Sequence, residues 1–357
     1  VVGGSGFLGS FIVSYLAAHH SLASIRVIDI QDHAAMGSIA GDPPAPSSPP
    51  GHTPPAITFR KTDVREEADV LEALEGVDFV VHCASAIDFG NSPPATLYNV
   101  NVLGTRNVLL AAQRVGARGI VYTSTLDVCV RQGSNLNDAE DDAPYVFTNT
   151  QPVAGPAYRG PYAASKTVAE QLMLQGSTAG CPVVALRPMG LYGPRDSTHL
   201  PAALSAARDW GSRFFPGNPK HLFTHCYVEN TAEAHRCAVA TLASGGSSGV
   251  GGQALFVTDD NEPSNFGVFM QPFVAAQGYV VADVFVPGGV AWTVAFILQA
   301  LRWLLLKCTC GLLAPRLLLT TEAVSALTTT QTFDGSKARR LLQYHPVVDA
   351  EESRRRS

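Results

Sequence analysis

A chain of 357 residues can bury a large core and hold one large domain or two closely packed ones. Its net charge of −5 argues against nucleic-acid binding, and seven scattered cysteines, odd in number, do not form a disulfide framework. Apolar residues reach 46% and charged residues only 15%, a lean charge content that suits a membrane-facing surface.

Val1-Val2 reads as the end of a strand already under way, and with no initiating methionine a few preceding residues are expected. Residues 7–20 then place Phe7, Leu8, Ile12 and Leu16 at helical spacing. Strands are expected at 24–30, 57–62 and 79–83, with helical patterns at 66–74 and 96–115. A fifth strand at 119–123, a helix at 162–175 and a sixth strand at 183–187 continue the alternation. This is the pattern of a parallel sheet covered by helices.

Two segments interrupt it. Residues 33–56, with the run GDPPAPSSPPGHTPP, cannot bury enough to order themselves and are expected to form a disordered surface insertion. Residues 132–161 are long, acidic and irregular, and end just before Tyr162, where they can form part of a substrate mouth. No internal repeat is visible.

From about Leu191 the alternation fades, so residues 191–357 are expected to be a smaller substrate-binding portion beside a 1–190 sheet domain. The run 290–301 is apolar except for Thr293 and Gln299, then meets Arg302, Trp303 and Lys307. That is short for a membrane span, which needs roughly 20 apolar residues. At about 100° per residue, Gln299, Arg302 and Lys307 fall on one side of the helix, within about 140°. Such a helix suits the plane of a membrane interface, with Trp292 and Trp303 at headgroup depth. The alternative is a buried core helix capped by charges. Cys308 and Cys310 form a C-x-C pair with no second pair at metal spacing, and are read as reduced thiols with no metal.

The opening GGSGFLG carries Gly3, Gly6 and Gly9 between a strand and a helix. Glycine is wanted there for a tight turn, for close approach of a pyrophosphate and for close helix–strand packing. The helix start, at Phe7 and Leu8, presents free N–H groups to phosphates. Asp29 ends the second strand 20 residues beyond Gly9, where a carboxylate can accept from both adenosine ribose hydroxyls and repel a 2′-phosphate. NAD is therefore expected rather than NADP. The plainer reading of Asp29 is a strand-end residue capping the next turn.

Tyr162 and Lys166, in GPYAASKTVAEQ, stand four apart and share a helix face. A phenol ionises near 10, and a neighbouring ammonium together with an oxidised nicotinamide favours the phenolate needed of a general base. Upstream, the cluster Tyr122-Thr123-Ser124-Thr125 closes the fifth strand, where hydroxyls point into the ligand crevice of such sheets. Ser and Thr at that place can also simply satisfy strand-end backbone groups.

Together these residues resemble the extended short-chain dehydrogenase/reductase superfamily, a Rossmann-like doubly wound α/β fold with a smaller C-terminal substrate-binding portion. Within it the chain is similar to the 3β-hydroxysteroid dehydrogenase branch, nearest the sterol-4α-carboxylate 3-dehydrogenases. The resemblance runs through VVGGSGFLG, VIDIQ, TDV, VVHCAS, NVNVLGTRNV, YTST, YAASK, RPMGLYGPRD and YVEN. It implies that Asp63 and Val64 lie at the adenine edge and Ala84 at the cofactor. Thr125 would be the catalytic hydroxyl, and Pro188 would lie against the nicotinamide. Asn101 would hold a water and relay a proton. Val2 stands where the superfamily commonly has Thr, and the Pro-rich insertion has no counterpart in the pattern.

The implied reaction is NAD-dependent oxidation of a 3β-hydroxyl on a 4α-carboxysterol, followed by loss of the carboxylate. A 3β-hydroxy-Δ5-steroid dehydrogenase/isomerase shares every motif. More distant readings are a nucleotide-sugar epimerase or reductase and a non-catalytic NAD-sensing regulator. Arg195, in YGPRD after the sixth strand, is the expected partner of a substrate carboxylate, unless it pairs with Asp196 or Asp63 or braces its loop. The resemblance further implies an endoplasmic reticulum membrane location with the catalytic domain facing the cytosol. The expected partners are a sterol and a membrane surface, with homodimerisation open.

Overall fold

In the computed structural model Val2 pairs in parallel with Ile28 on one side and His82 on the other, so the chain starts in the middle of its sheet. The structure describes residues 1–19, 22–31, 53–88, 90–130, 136–139, 160–210, 214–216, 218–245, 247–279, 284–310, 312–313 and 315–357. Most of the expected insertion, and most of the acidic segment 132–161, lie outside the described residues.

After the glycine turn come α1 (Phe7–His19), β1 (Ser24–Asp29), β2 (Ala56–Lys61), α2 (Glu67–Leu74) and β3 (Phe79–His82). The helix expected at 96–115 is compound. Pro94 opens a short α3 (Pro94–Leu97), a π-helical turn follows at Tyr98–Gly104, and α4 (Thr105–Arg114) completes it. Next are β4 (Gly119–Thr123), a 3₁₀ turn at Leu126–Cys129, β5 (Leu136–Ala139), α5 (Pro161–Gln175) and β6 (Val183–Pro188). The later part contains β7 (Gly190–Tyr192), α6 (His199–Trp210), β8 (Phe214–Pro216), β9 (His225–Tyr227), α7 (Val228–Ala243), α8 (Ser247–Val250) and β10 (Gln253–Val257). It ends with α9 (Phe266–Ala276), β11 (Val284–Val286), α10 (Gly288–Cys308), α11 (Thr321–Leu327), β12 (Gln331–Phe333), α12 (Ser336–Leu342) and α13 (Ala350–Arg356).

The parallel strands run β2-β1-Val2-β3-β4-β6-β10. The chain winds outward from Val2 through β1 and β2, then returns to build the other half, so the order reverses between Val2 and β3. Ligands of doubly wound sheets sit outside the carboxyl ends of the strands at such a reversal. Every residue of β4 and β6 is buried, as unbroken apolar runs covered on both faces require. On one face Ile12 and Leu16 of α1 pack with Ala234 and Ala238 of α7; on the other, Val108 and Ala112 of α4 pack with Met173 of α5.

The boundary expected near residue 190 is crossed by the fold, because β10 returns to the main sheet in parallel with β6. The small pairs β7–β9 and β8–β11 lie apart from that sheet. All seven cysteines are free thiols, with Cys308 and Cys310 exposed.

The apolar run lies in the 21-residue α10. Only Ala291 and Ala295 of it are buried, whereas Val290, Trp292, Val294, Phe296, Ile297, Leu301, Trp303 and Leu304 are exposed. The helix is therefore not buried in the core. Of its polar residues, Gln299 and Arg302 hydrogen-bond to protein while Lys307 stays exposed.

Candidate active site

The glycine turn is shaped by contacts that admit no side chain. Gly3 has φ +87°, and a Cβ on it would lie 2.4 Å from the backbone N of Ala84. A Cβ on Gly9 would lie 2.0 Å from the carbonyl O of Gly3. These two glycines seat the first helix against the turn and the turn against Ala84, as a pyrophosphate loop requires. Around Gly6 only the carbonyl O of Gly3 lies within 4 Å, at 3.3 Å, so the middle of the loop stays open. The first-turn amides of α1, at Phe7 and Leu8, have no intrahelical acceptor by helix geometry. No acidic residue in that turn opposes an anion. The buried hydroxyl of Ser5 has no hydrogen-bond partner among the described residues either. A dinucleotide pyrophosphate fits these groups.

Asp29, at the end of β1, accepts from the amides of Ser5 at 2.9 Å and Gln31 at 3.0 Å. Its carboxylate thus caps the turn and ties it to the glycine loop, and a carboxylate retains lone pairs for ribose hydroxyls. Asp63 is engaged by the Arg65 guanidinium, with both Nε contacts at 3.0 Å, which holds its carboxyl below the usual range. Val64 is buried against Gly104, and Asn107 donates to the carbonyls of Val64 at 3.0 Å and Arg65 at 3.1 Å.

Four elements bring the candidate reactive groups together. Tyr162 and Lys166 come from the first turns of α5, Thr125 from the end of β4, Ser85 from the segment after β3, and Asn101 from the π turn. The Tyr162 side chain is hydrogen-bonded to Thr125 and Ser85. Thr125 Oγ1 also donates to Asp127 Oδ2 at 3.1 Å. With one hydroxyl proton, Thr125 can serve Asp127 or Tyr162 but not both at once. Burial, and then the Asp127 charge, push Tyr162 above its ordinary value, while the Thr125 and Ser85 bonds pull it down.

Lys166 Nζ donates to the carbonyl of Thr123 at 2.8 Å and lies 4.5 Å from the centre of the Tyr122 ring. Burial brings Lys166 down to about 7, opposed by the Glu170 carboxylate. That carboxylate is itself paired with fully buried Arg187 at 2.7 Å.

The Asn101 side chain is bonded to protein at both ends. Its Oδ1 accepts from Ala86 N at 2.8 Å and Ser85 Oγ at 3.1 Å; its Nδ2 donates to Ala86 O at 3.0 Å and Ser165 Oγ at 2.9 Å. With one hydroxyl proton, Ser85 can serve Asn101 or Tyr162 but not both at once. Asn101 thus positions Ser85 and Ala86 beside Tyr162. Ala84, one residue earlier, lies over Gly3, and Pro188 ends β6 opposite Val257.

Arg195 is not placed with this cluster. Its Nη1 donates to Ser10 Oγ at 3.3 Å in α1, and its backbone is left-handed, with φ 69°. Of the two carboxylates weighed as its partner, Asp63 holds Arg65, and Asp196 caps α6 through the amides of Thr198, His199 and Leu200. Ser85, Ser165 and Asn107 lie inside the motifs VVHCAS, YAASK and NVNVLGTRNV without having been singled out there, and Asp127 joins the site from outside any motif, since each acts through a partner distant in sequence or through a local turn.

A family model described as the 3-beta hydroxysteroid dehydrogenase/isomerase family matches residues 1–286. The chain is 30% identical over 361 residues to 3beta-hydroxysteroid-dehydrogenase/decarboxylase isoform 2 of Arabidopsis thaliana, covering 100% of this chain and 60% of that relative. It therefore spans under two thirds of that protein. It is 28% identical over 355 residues to the mouse (Mus musculus) protein named sterol-4-alpha-carboxylate 3-dehydrogenase, decarboxylating, covering 99% and 88%. Among solved structures, the Thermus thermophilus UDP-glucose 4-epimerase complex with NAD superposes with a TM-score of 0.64 at 21% identity, covering 99% and 96% of the two chains.

Proposed function

Because the chain belongs to the 3-beta hydroxysteroid dehydrogenase/isomerase family, we propose that it oxidises the 3β-hydroxyl of a 4α-carboxysterol with NAD and releases the carboxylate as CO₂. The observation that carries the reading is the buried Tyr162 held by Ser85 and Thr125 beside a glycine loop fit for a dinucleotide. The relatives named as decarboxylating sterol dehydrogenases support the substrate class.

Tyr162 as phenolate takes the hydroxyl proton, and Ser85 and Thr125 hold its oxygen in line. The glycine loop and Asp29 would hold NAD, which would supply the acceptor for the C3 hydride. Asp29 favours it over NADP because a second anion at its carboxylate would be repelled. Lys166, tied to the Thr123 carbonyl, stands in the same crevice to hold ribose hydroxyls. The ketone formed at C3 lets the C4 carboxylate leave, because the bond's electron pair passes into an enolate that is then protonated. Arg195 would have to exchange its bond with Ser10 for the substrate carboxylate to act on it.

The exposed apolar face of α10 favours a lipid substrate over a nucleotide sugar. It supports attachment to a membrane; the endoplasmic reticulum, with the catalytic portion on the cytosolic side, is the location proposed. The test is to give purified protein and NAD, in lipid vesicles, a 4α-carboxysterol or a Δ5-3β-hydroxysteroid. The proposal expects equal amounts of NADH, CO₂ and 3-ketosterol from the first. A Δ4-3-ketosteroid from the second, with the carboxysterol untouched, would favour the isomerase reading.

A further inference from the structure

The inward side of α10 is fastened to the segment that carries Ser85. Arg302 Nη2 donates to the carbonyl of Asn91 at 2.7 Å, and its Nε to the carbonyl of Pro315 at 2.8 Å. Asn91 in turn clamps Leu317 twice, through Nδ2 to the carbonyl at 3.1 Å and through Oδ1 from the amide at 2.8 Å. Gln299 accepts from the amide of Thr321 at 2.9 Å and lies 3.1 Å from where a Cβ on Gly90 would stand. Buried Asp88 accepts from the amides of Asn91 at 2.6 Å and Ser92 at 2.7 Å. Two residues before Asp88 lies Ala86, held at both its amide and its carbonyl by Asn101, and beside it Ser85, bonded to Tyr162.

The same unit reaches the other side of Tyr162. Glu322, in the first turn of α11, covers Gly160, where a Cβ would lie 2.3 Å from the Glu322 carboxyl carbon. The helix that presents the apolar surface and the short helix after it therefore touch both chain segments that position the reactive phenol.

We propose that Arg302 is a positioning residue that straps α10 to the Ser85–Asn101–Tyr162 network, so that seating α10 on a lipid bilayer orders the reactive centre. This rests on the catalytic reading of Tyr162 given above. The occupant of the outward face is a bilayer. Trp292 and Trp303 flank a run of exposed aliphatic side chains, Lys307 lies 5.9 Å over the Trp303 ring, and Gln299 and Arg302 are already used by protein. Lipid that immobilises the helix also immobilises what the helix holds, which is a coupling free energy between surface and site.

The experiment compares the parent with Arg302→Leu, which keeps the helix apolar, on phosphatidylcholine vesicles. Two readouts are taken: amide hydrogen exchange at Ala86, Asn91 and Ser92, and the pH midpoint of kcat. The groups around Tyr162 that bear on that midpoint are Asp127, Tyr122, Lys166 and Glu322, with the Ser85 and Thr125 hydroxyls. Arg302→Leu removes the bond to Asn91 on the Ser85 arm and the bond to Pro315, and touches none of these groups directly. Loosening Ser85 removes a bond that favours the phenolate, so the rising limb of oxidation moves to higher pH, and kcat falls by roughly tenfold. The KM for NAD and the vesicle-bound fraction stay at parental values. Arg302→Lys, which keeps one donor, recovers part of the shift, and Asn91→Ala, which cuts the strap without touching the helix, reproduces it.

In the parent, vesicles slow exchange at the three amides; in Arg302→Leu they do not. The proposal is overturned if vesicles leave parental exchange unchanged, or if Arg302→Leu matches the parent in exchange and pH midpoint. It is also overturned if the loss in kcat disappears on adding more vesicles, which would mark a simple docking defect. A parent that oxidises no carboxysterol would count against the proposed reaction, while the exchange measurement would still decide the coupling.

Discussion

At Tyr162, burial opposes ionisation while two hydroxyls assist it, and the balance sets the working pH. Oxidation needs the phenolate, so its rate rises as pH climbs through the Tyr162 ionisation. Ser85→Ala removes a bond that favours the phenolate and should move the rising limb of kcat upward by about one pH unit, the order of one charged hydrogen bond. Asp127→Asn removes a repelling charge and should move it downward. Opposite shifts in pH–rate profiles would support this balance; shifts of the same sign would contradict it. The glycine loop, Asp29, Tyr162 and Lys166 were legible in the sequence because each belongs to a short run with its own mechanical reason. Ser85 was not, because its role depends on Asn101 and Tyr162, which only folding brings to it. Nor was the Lys166 contact with the Thr123 carbonyl, which only the packing of α5 against β4 brings about.

The strands and helices around the sheet follow apolar period closely, and their ends moved by only a residue or two. The helix expected at 96–115 failed in its interior, because Val, Asn and Leu at helical spacing give no sign of a π turn. That turn carries Asn101, an instance of irregular helix at a functional position. For α10, periodicity gives a polar stripe but does not say which side meets the protein; Arg302 and Gln299 settle it by bonding inward. Changing Trp292, Phe296 and Trp303 to polar residues should move the protein from the membrane pellet to the soluble fraction without lowering its melting temperature, since all three are exposed. Unchanged sedimentation would count against a membrane-facing α10.

Across the molecule, the C-terminal segment is built into the sheet domain, which the fading alternation after Leu191 did not foretell. β10 pairs with β6 through contacts no local pattern encodes. Fully buried Asn230 accepts from the amides of Val347 and Val348, both at 2.9 Å, and donates to the Val348 carbonyl at 2.9 Å and Asp259 at 3.0 Å. Asn230→Ala strands these groups and should cost about 3 kcal/mol or more in urea unfolding; a loss below about 1 kcal/mol would show that water takes its place. All of this framework serves one claim, that a hydride leaves C3 of a sterol while Tyr162 takes the hydroxyl proton. The most direct measurement is turnover of a 4α-carboxysterol carrying deuterium at C3, in parallel with Tyr162→Phe. The account predicts one deuterium in each reduced nicotinamide formed, and a loss of turnover of at least about a hundredfold in Tyr162→Phe with NAD affinity unchanged. Unlabelled NADH, or near-parental turnover in Tyr162→Phe, would contradict it.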